Sequence, residues 1–318
     1  MENLIPDLDT KDFSLGIIGE SEGNGHPWSW SAIINSFDSE KMQDCPYKAI
    51  PLYLSKQNFP EASIGGAKIS HIWTQDKANS KKIAQTCFID RVCDDPSEMI
   101  GSISGLLLAR DDAEHHLNLA SPFLEAGIPV YIDKPLAYSK SKALDLIGLQ
   151  QWDGQIFSCS ALKFAREMHA SSQDLKEIGE IKHFEVEVPK SWHRYIIHGL
   201  EPALDAVANT ASISSYSNIS NSAFNGLNID FTDKRTATLR AFKNSHSPIL
   251  YRLFGDLGFR EYQFYDAFSA FKKTLEVFLN QARTRKPLLK LDRSIEIASY
   301  IELIRYENQN IERNFDEQ

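Results

Sequence analysis

Cysteine is scarce in this chain: Cys45, Cys87, Cys93 and Cys159 are the four among 318 residues, and no two form a C-x-x-C pair. That argues against a zinc ribbon or a thioredoxin-type centre and leaves small buried thiols. No H-E-x-x-H run occurs, and the adjacent His115 and His116 would point apart on a helix. No metal is expected. Positive charge is short as well: Lys plus Arg total 34 against 43 for Asp plus Glu, a net charge of −9. A nucleic-acid or anionic-membrane surface would need clustered positive charge, so neither partner is expected. No uncharged run approaches the roughly 18 residues of a membrane span, and Met1-Glu2-Asn3-Leu4 opens no basic-then-apolar leader. A cytoplasmic location is the default expectation.

What remains is an ordinary globular composition, 42% hydrophobic and 24% charged, which argues against disorder. The length predicts about two domains. Through the first half, apolar strands alternate with helices. Strands are expected at 13–19, 68–73, 103–109, 128–132 and 155–159. Helices are expected at 28–37, 77–86, 112–126 (stopped by Gly127) and 139–151. Such alternation predicts parallel β-α-β units with helices on both faces, a doubly wound α/β sheet. The second half changes period: 182–188 alternates as a half-solvated strand does. Helices are expected at about 194–209, 265–284 and 292–307, the last capped by Asp292, and the tract 212–221 reads as a loop or short edge strands. One strand is expected within 230–242. This reads as a mixed, mostly antiparallel α+β domain. The division is therefore 1–162 for a dinucleotide-binding Rossmann-type domain and 163–318 for substrate binding and oligomerisation.

Four stretches carry chemistry. The first, Gly16-Ile-Ile-Gly19-Glu-Ser21-Glu-Gly23-Asn24-Gly25-His26-Pro27, leaves a strand and enters a helix. Glycines there let a diphosphate approach the backbone, and a helix N-terminus offers it N–H groups. The spacing departs from G-x-G-x-x-G, and Glu20 and Glu22 repel a diphosphate unless they turn outward. The second is Asp76 after the next strand. It can accept both ribose hydroxyls and favour NAD over NADP, or it can simply cap a helix. The third, Asp133-Lys134-Pro135, sets an ammonium at a strand tip where α/β sheets bind ligands. The fourth is Trp192-His-Arg194-Tyr195-Ile-Ile-His198-Gly-Leu-Glu201, in which His198 and Glu201 share a helix face. An imidazole there can take a hydroxyl proton near neutral pH.

In order along the chain, these residues resemble the Gfo/Idh/MocA oxidoreductase family, the relatives of glucose-fructose oxidoreductase and inositol dehydrogenase. The resemblance runs from Gly16–Gly19 through Glu114-His115-His116 and Ala126–Ala137 to His198–Glu201 and the tail 278–292. It implies that Lys134 and His198 are catalytic, and that NAD or NADP is the cofactor. The family's Glu-Lys-Pro corresponds to Asp133, Lys134 and Pro135. Its Thr-Pro-Asn-x-x-His corresponds to Asp111, Asp112, Ala113 and His116, so only His116 is kept as a cofactor contact. Arg194 stands where the family commonly has an aspartate, which leaves Glu201 as a possible orienting group for His198. Trp192, Arg194 and Tyr195 are expected to line a sugar pocket.

The expected activity is an NAD(P)-dependent dehydrogenation or reduction at a secondary alcohol or ketone of a sugar or nucleotide sugar, with a link to surface-polysaccharide sugars. His198 would take the proton and Lys134 would steady the oxygen. Two rivals are a non-catalytic dinucleotide or sugar sensor of the same fold, and cofactor-assisted epimerisation or glycoside cleavage. A homo-oligomer, dimer or tetramer, is expected because the second sheet has an open face to cover.

Overall fold

The computed structural model describes residues 13–207 and 211–315, with side chains described to 304. The expectations for Met1–Leu4 and for the end of the helix at 208–209 lie outside the described residues. The first half opens with β1 (Phe13–Ile18), α1 (His26–Asn35), α2 (Ala49–Leu54), β2 (Ala67–Trp73), α3 (Lys77–Thr86) and β3 (Arg91–Val92). It continues with β4 (Gly105–Leu108), α4 (His116–Glu125), β5 (Val130–Ile132), α5 (Lys140–Ile147) and β6 (Ile156–Phe157). All six strands are parallel, in the order β3-β2-β1-β4-β5-β6. The central β4 is Gly-Leu-Leu-Leu, buried throughout. It has no polar face to offer water, because helices cover both sides of the sheet. The chain leaves β1 towards β2 and β3 and returns on the other side at β4. That reversal opens a crevice at the C-terminal ends of β1 and β4, where open α/β sheets bind their ligands.

After α6 (Ser172–Ile178) come β7 (Ile181–Pro189), α7 (Trp192–Ala206) and β8 (Ile213–Asn218), followed by β9 (Phe224–Phe231), β10 (Thr236–Phe242), β11 (Leu250–Gly255) and β12 (Phe259–Gln263). They form a second sheet, β12-β11-β7-β10-β9-β8, in which β7 and β10 run parallel and the other pairs antiparallel. The single strand expected within 230–242 is instead a hairpin: Thr232–Arg235 turns the chain, and Asp230 and Thr236 face each other across it. The tract at 212–221 supplies the edge strand β8, whereas β11 and β12 were not anticipated.

α8 (Ala267–Thr284) and α9 (Asp292–Phe315) close the chain. Asp292 is the first residue of α9, in its first turn rather than at the flanking cap. α8 follows the second sheet in sequence yet packs its Phe268, Leu275, Phe278 and Leu279 into the core beneath the first. The Phe278 ring lies 5.6 Å from Tyr131 and 5.8 Å from Phe157. All four cysteines are buried free thiols. No described helix is long and apolar enough to cross a membrane.

Candidate active site

The loop from β1 to α1 follows the path its glycines dictate. Gly23 has φ +77°, a backbone region that side chains disfavour, and the space a Cβ would take there is open. Tyr47 and Ile50 press so closely on Gly25 that a Cβ would collide with both. The side chains between turn inward and grip the strand tips. Ser21 Oγ donates to Asp111 Oδ1 (2.6 Å), Asn24 Nδ2 donates to Asp133 Oδ2 (2.8 Å), and His26 Nδ1 sits 2.6 Å from the same oxygen. The His26 ring stacks on Trp30 at 4.7 Å. Two of the first three helical positions offer no free N–H to an anion. Pro27 has none, and that of His26 is taken by Asn24 Oδ1.

Asp133 and Lys134 leave the tip of β5, both buried. The Asp133 carboxylate also accepts the Lys134 backbone N–H (2.8 Å). Burial works to raise Asp133, but the neighbouring His26 imidazole and Lys134 bring it below the ordinary carboxylate value. The Lys134 ammonium donates to Asp111 Oδ2 (3.2 Å) and to the Arg194 carbonyl (3.3 Å). Burial would lower Lys134, yet Asp111 and Asp133 outweigh it and hold the group above its usual value, so it stays charged. Asp111 is likewise held low, against its burial, by Lys134, Ser21, His26 and Arg194. Asp111 is thus the counter-ion of the lysine.

α7 brings the rest of the cluster. Ser191 caps it, so the helix begins at Trp192, earlier than the sequence pattern indicates. The Tyr195 ring has Lys134 Nζ 5.3 Å from its centroid and the His198 ring 5.2 Å away, edge to face. Lys134 and His198 therefore meet on one ring, and the charge of Lys134 is felt at His198. Burial first, then Lys134 and His26, push His198 well below its ordinary value, so it is neutral near pH 7. Its Nδ1 lies 2.8 Å from Ser160 Oγ. Arg194 Nη1 reaches across to the Glu22 carbonyl (2.9 Å) and lies 3.7 Å from Asp111, tying α7 to the glycine loop.

Several sequence expectations are corrected here. Glu201 is not the hydrogen-bond partner of His198. It is buried, accepts the Ser160 backbone N–H (2.7 Å) and lies 3.8 Å from Lys163. The orienting group is Ser160, which has no signature in sequence because it stands 38 residues from the histidine. Trp192 does not line a pocket either: it is fully buried and donates its indole N–H to the Ile301 carbonyl. His116 is buried with its two ring nitrogens on the carbonyls of Leu136 and Arg110, which holds the two strand-tip loops together and leaves neither nitrogen for a cofactor. Asp76 caps α3 by accepting the Ala78 N–H (2.8 Å), the alternative role the sequence allowed. Among the described residues no group of His, Cys, Asp and Glu could hold a metal ion.

Burial lifts Glu201 to about 7. An acid raised in this way binds more protons folded than unfolded between about pH 4.5 and 7, so stability falls as pH rises through that window. Glu201→Gln keeps an acceptor for Ser160. It is expected to be more stable than the parent chain by about 2–3 kcal/mol at pH 8, a gap that closes towards pH 5. Urea unfolding midpoints at the two pH values test this, and an unchanged gap would refute it.

Residues 47–160 match the model of the Gfo/Idh/MocA family, described as an oxidoreductase family with an NAD-binding Rossmann fold. The matched stretch covers about a third of the chain. It contains Asp111, Asp133, Lys134 and Ser160 of the cluster, while the glycine loop and α7 lie outside it. Among solved structures, the chain is similar in fold to UDP-N-acetylglucosamine 3-dehydrogenase GnnA from Acidithiobacillus ferrooxidans. The identity is 14%, 92% of this chain and 96% of that one are covered, and the TM-score is 0.64. It is also similar to scyllo-inositol dehydrogenase from Lactobacillus casei, solved with NAD(H) and scyllo-inositol (12% identity, 93% and 96% covered, TM-score 0.69). A third is GenD2 from gentamicin A biosynthesis, in complex with NAD (12% identity, 94% and 95% covered, TM-score 0.68). No curated protein matches by sequence.

The residues at the β1 and β2 tips have the chemistry to hold the ribose end of a dinucleotide. Glu20 lies against Asn79 and near Asp76, where burial raises its carboxyl. Among the described residues no well-formed hydrogen bond reaches buried Glu20 Oε2 or Asn79 Nδ2. This acceptor and donor, adjacent to each other and near Asp76, are polar groups that a ribose could engage.

Proposed function

We propose that this protein is a nicotinamide-dinucleotide-dependent sugar oxidoreductase, acting at a secondary alcohol or ketone of a sugar or nucleotide sugar. The observation that carries the reading is the convergence of Lys134, Tyr195 and neutral His198 at the tip of β5, beside the β1/β4 crevice. Residues Gly19–His26 would hold the diphosphate side, Glu20 and Asn79 the ribose, and Asp133, Lys134 and Pro135 the nicotinamide end. The dinucleotide, when bound, supplies hydride acceptance or donation. His198 takes the hydroxyl proton as a general base, with Ser160 fixing its ring. The Lys134 ammonium, aimed by Asp111 and the Arg194 carbonyl, steadies negative charge growing on the same oxygen. In this reading residues 1–162, completed by α8, bind the dinucleotide. Residues from 163 hold the substrate and mediate assembly through the outer face of the second sheet, where Arg252 bridges Glu185 and Glu187. Sedimentation velocity tests that assembly, which a monomer would exclude.

Absorbance at 340 nm, followed with NAD or NADH against a panel of sugars and nucleotide sugars, tests the activity; dinucleotide binding with no turnover across the panel would favour a sensor. The observation on the sensor's side is Asp111, an acid where the family has a threonine. Glu20 and Asp76 give the ribose end two carboxylates, which repel a 2′-phosphate. NADH is therefore expected to bind at least tenfold more tightly than NADPH, and Glu20→Gln to narrow that gap. Fluorescence titration of both nucleotides checks it, and equal affinities would refute it.

A further inference from the structure

Beyond Tyr195 the structure contains a groove that the reaction just described does not use. It is a cavity of about 640 Å³ at the end of the second sheet, between the end of β7, the β10–β11 loop and the end of β12. Lys190, Lys243, Ser245, His246, Ser247 and Gln263 are among its lining residues, and no acid is. Among the described residues neither lysine is in an ion pair. Lys190 Nζ donates to the Tyr195 hydroxyl, and Lys243 Nζ to the Asn221 carbonyl (2.8 Å). Two ammonium groups with only neutral partners, at a groove lined by no acid, are an anion site in waiting.

The groove adjoins the cluster. Lys190 Nζ lies 4.5 Å from the centroid of the Tyr195 ring and Lys134 Nζ 5.3 Å from the same point, so the two ammonium groups are less than about 10 Å apart. A hexose with its reacting carbon at Lys134 and His198, passing along the face of Tyr195, carries a substituent on its far side to Lys190. We propose that this groove binds an anionic arm of the substrate, a phosphoryl or carboxylate group borne by the sugar, through Lys190 and Lys243. The assignment rests on the sugar-oxidoreductase reading, since it takes the reacting carbon to lie at Lys134.

The test is calorimetric titration of the full chain, saturated with NADH, against three probes: UDP-glucose, glucuronate and glucose. At least one anionic probe is expected to bind tenfold or more tightly than glucose. That advantage is expected to fall at least tenfold in Lys190→Gln and in Lys243→Gln, and to shrink between about 0.05 and 0.5 M salt. Preference for UDP-glucose assigns a phosphoryl arm, and preference for glucuronate a carboxylate. Lys243 does not touch Tyr195, so its variant tests charge in the groove without disturbing the ring. NADH affinity is expected to stay within twofold in both variants. Anionic probes that bind no better than glucose, or that bind the variants as well as the parent, overturn the proposal. Failure of the underlying reading looks different: NADH fails to bind, while the anion still binds and still depends on Lys243.

Discussion

Lys134→Met is expected to lower kcat by 10²- to 10⁴-fold, the usual range for a positioned charged or proton-handling group. The lysine is the one ammonium that the tip of β5 delivers to the crevice, and its charge is secured by Asp111 and Asp133. The same substitution strips buried Asp111 of its nearest cation, leaving Ser21 and the more distant Arg194. Breaking a buried pair by deleting one partner costs about 3–5 kcal/mol. Loss of stability and loss of rate thus travel together, and a second variant separates them. Adding Asp111→Asn to Lys134→Met removes the orphaned charge and is expected to recover most of the melting temperature while kcat stays low. Thermal melts beside steady-state rates read both quantities. Recovery of rate along with stability would show that Lys134 is only a counter-ion.

His198→Gln is expected to cost kcat a similar 10²- to 10⁴-fold, with little change in melting temperature because an amide preserves a contact to Ser160. A pH signature accompanies it. Burial and the neighbouring Lys134 hold the imidazole well below its ordinary value, so in the parent chain it loses its proton at lower pH than an unperturbed histidine does. The parent's kcat/KM is therefore expected to run level from pH 6 to 8, without the rise centred near 6.5 that an unperturbed histidine gives. Ser160→Ala removes the group that fixes the ring. It is expected to reduce kcat more than it alters KM, with partial rescue by Ser160→Thr. A profile that climbs through pH 6.5 would place the proton acceptor elsewhere.

The parallel sheet was readable because its strands are continuous apolar runs. Leu106, Leu107 and Leu108 have no wet side, and only a doubly covered sheet accommodates that. The strand at β7 was readable from its period of two, and α3 agreed to the residue with its expected bounds. The β9–β10 hairpin was not separated because its turn, Thr232–Arg235, carries no Asn-Gly or Asp-Gly to mark it. α8 could not be assigned to the first sheet from its own pattern. An amphipathic helix states that one face is buried, not against what.

The site divides along the same line. Local sequence determined that a lysine and an acid leave a parallel strand at its ligand-binding end, and that a histidine sits one turn along a helix from a tyrosine. Those facts depend on a few neighbouring residues and on the strand and helix periods. Folding alone decided that Ser160, not Glu201, contacts the histidine, that Asp111 is the partner of Lys134, and that Glu20 lies beside Asn79. Each of these pairings joins residues 23 to 59 positions apart, and only the packing of strand tips against α7 and the glycine loop sets which of them meet.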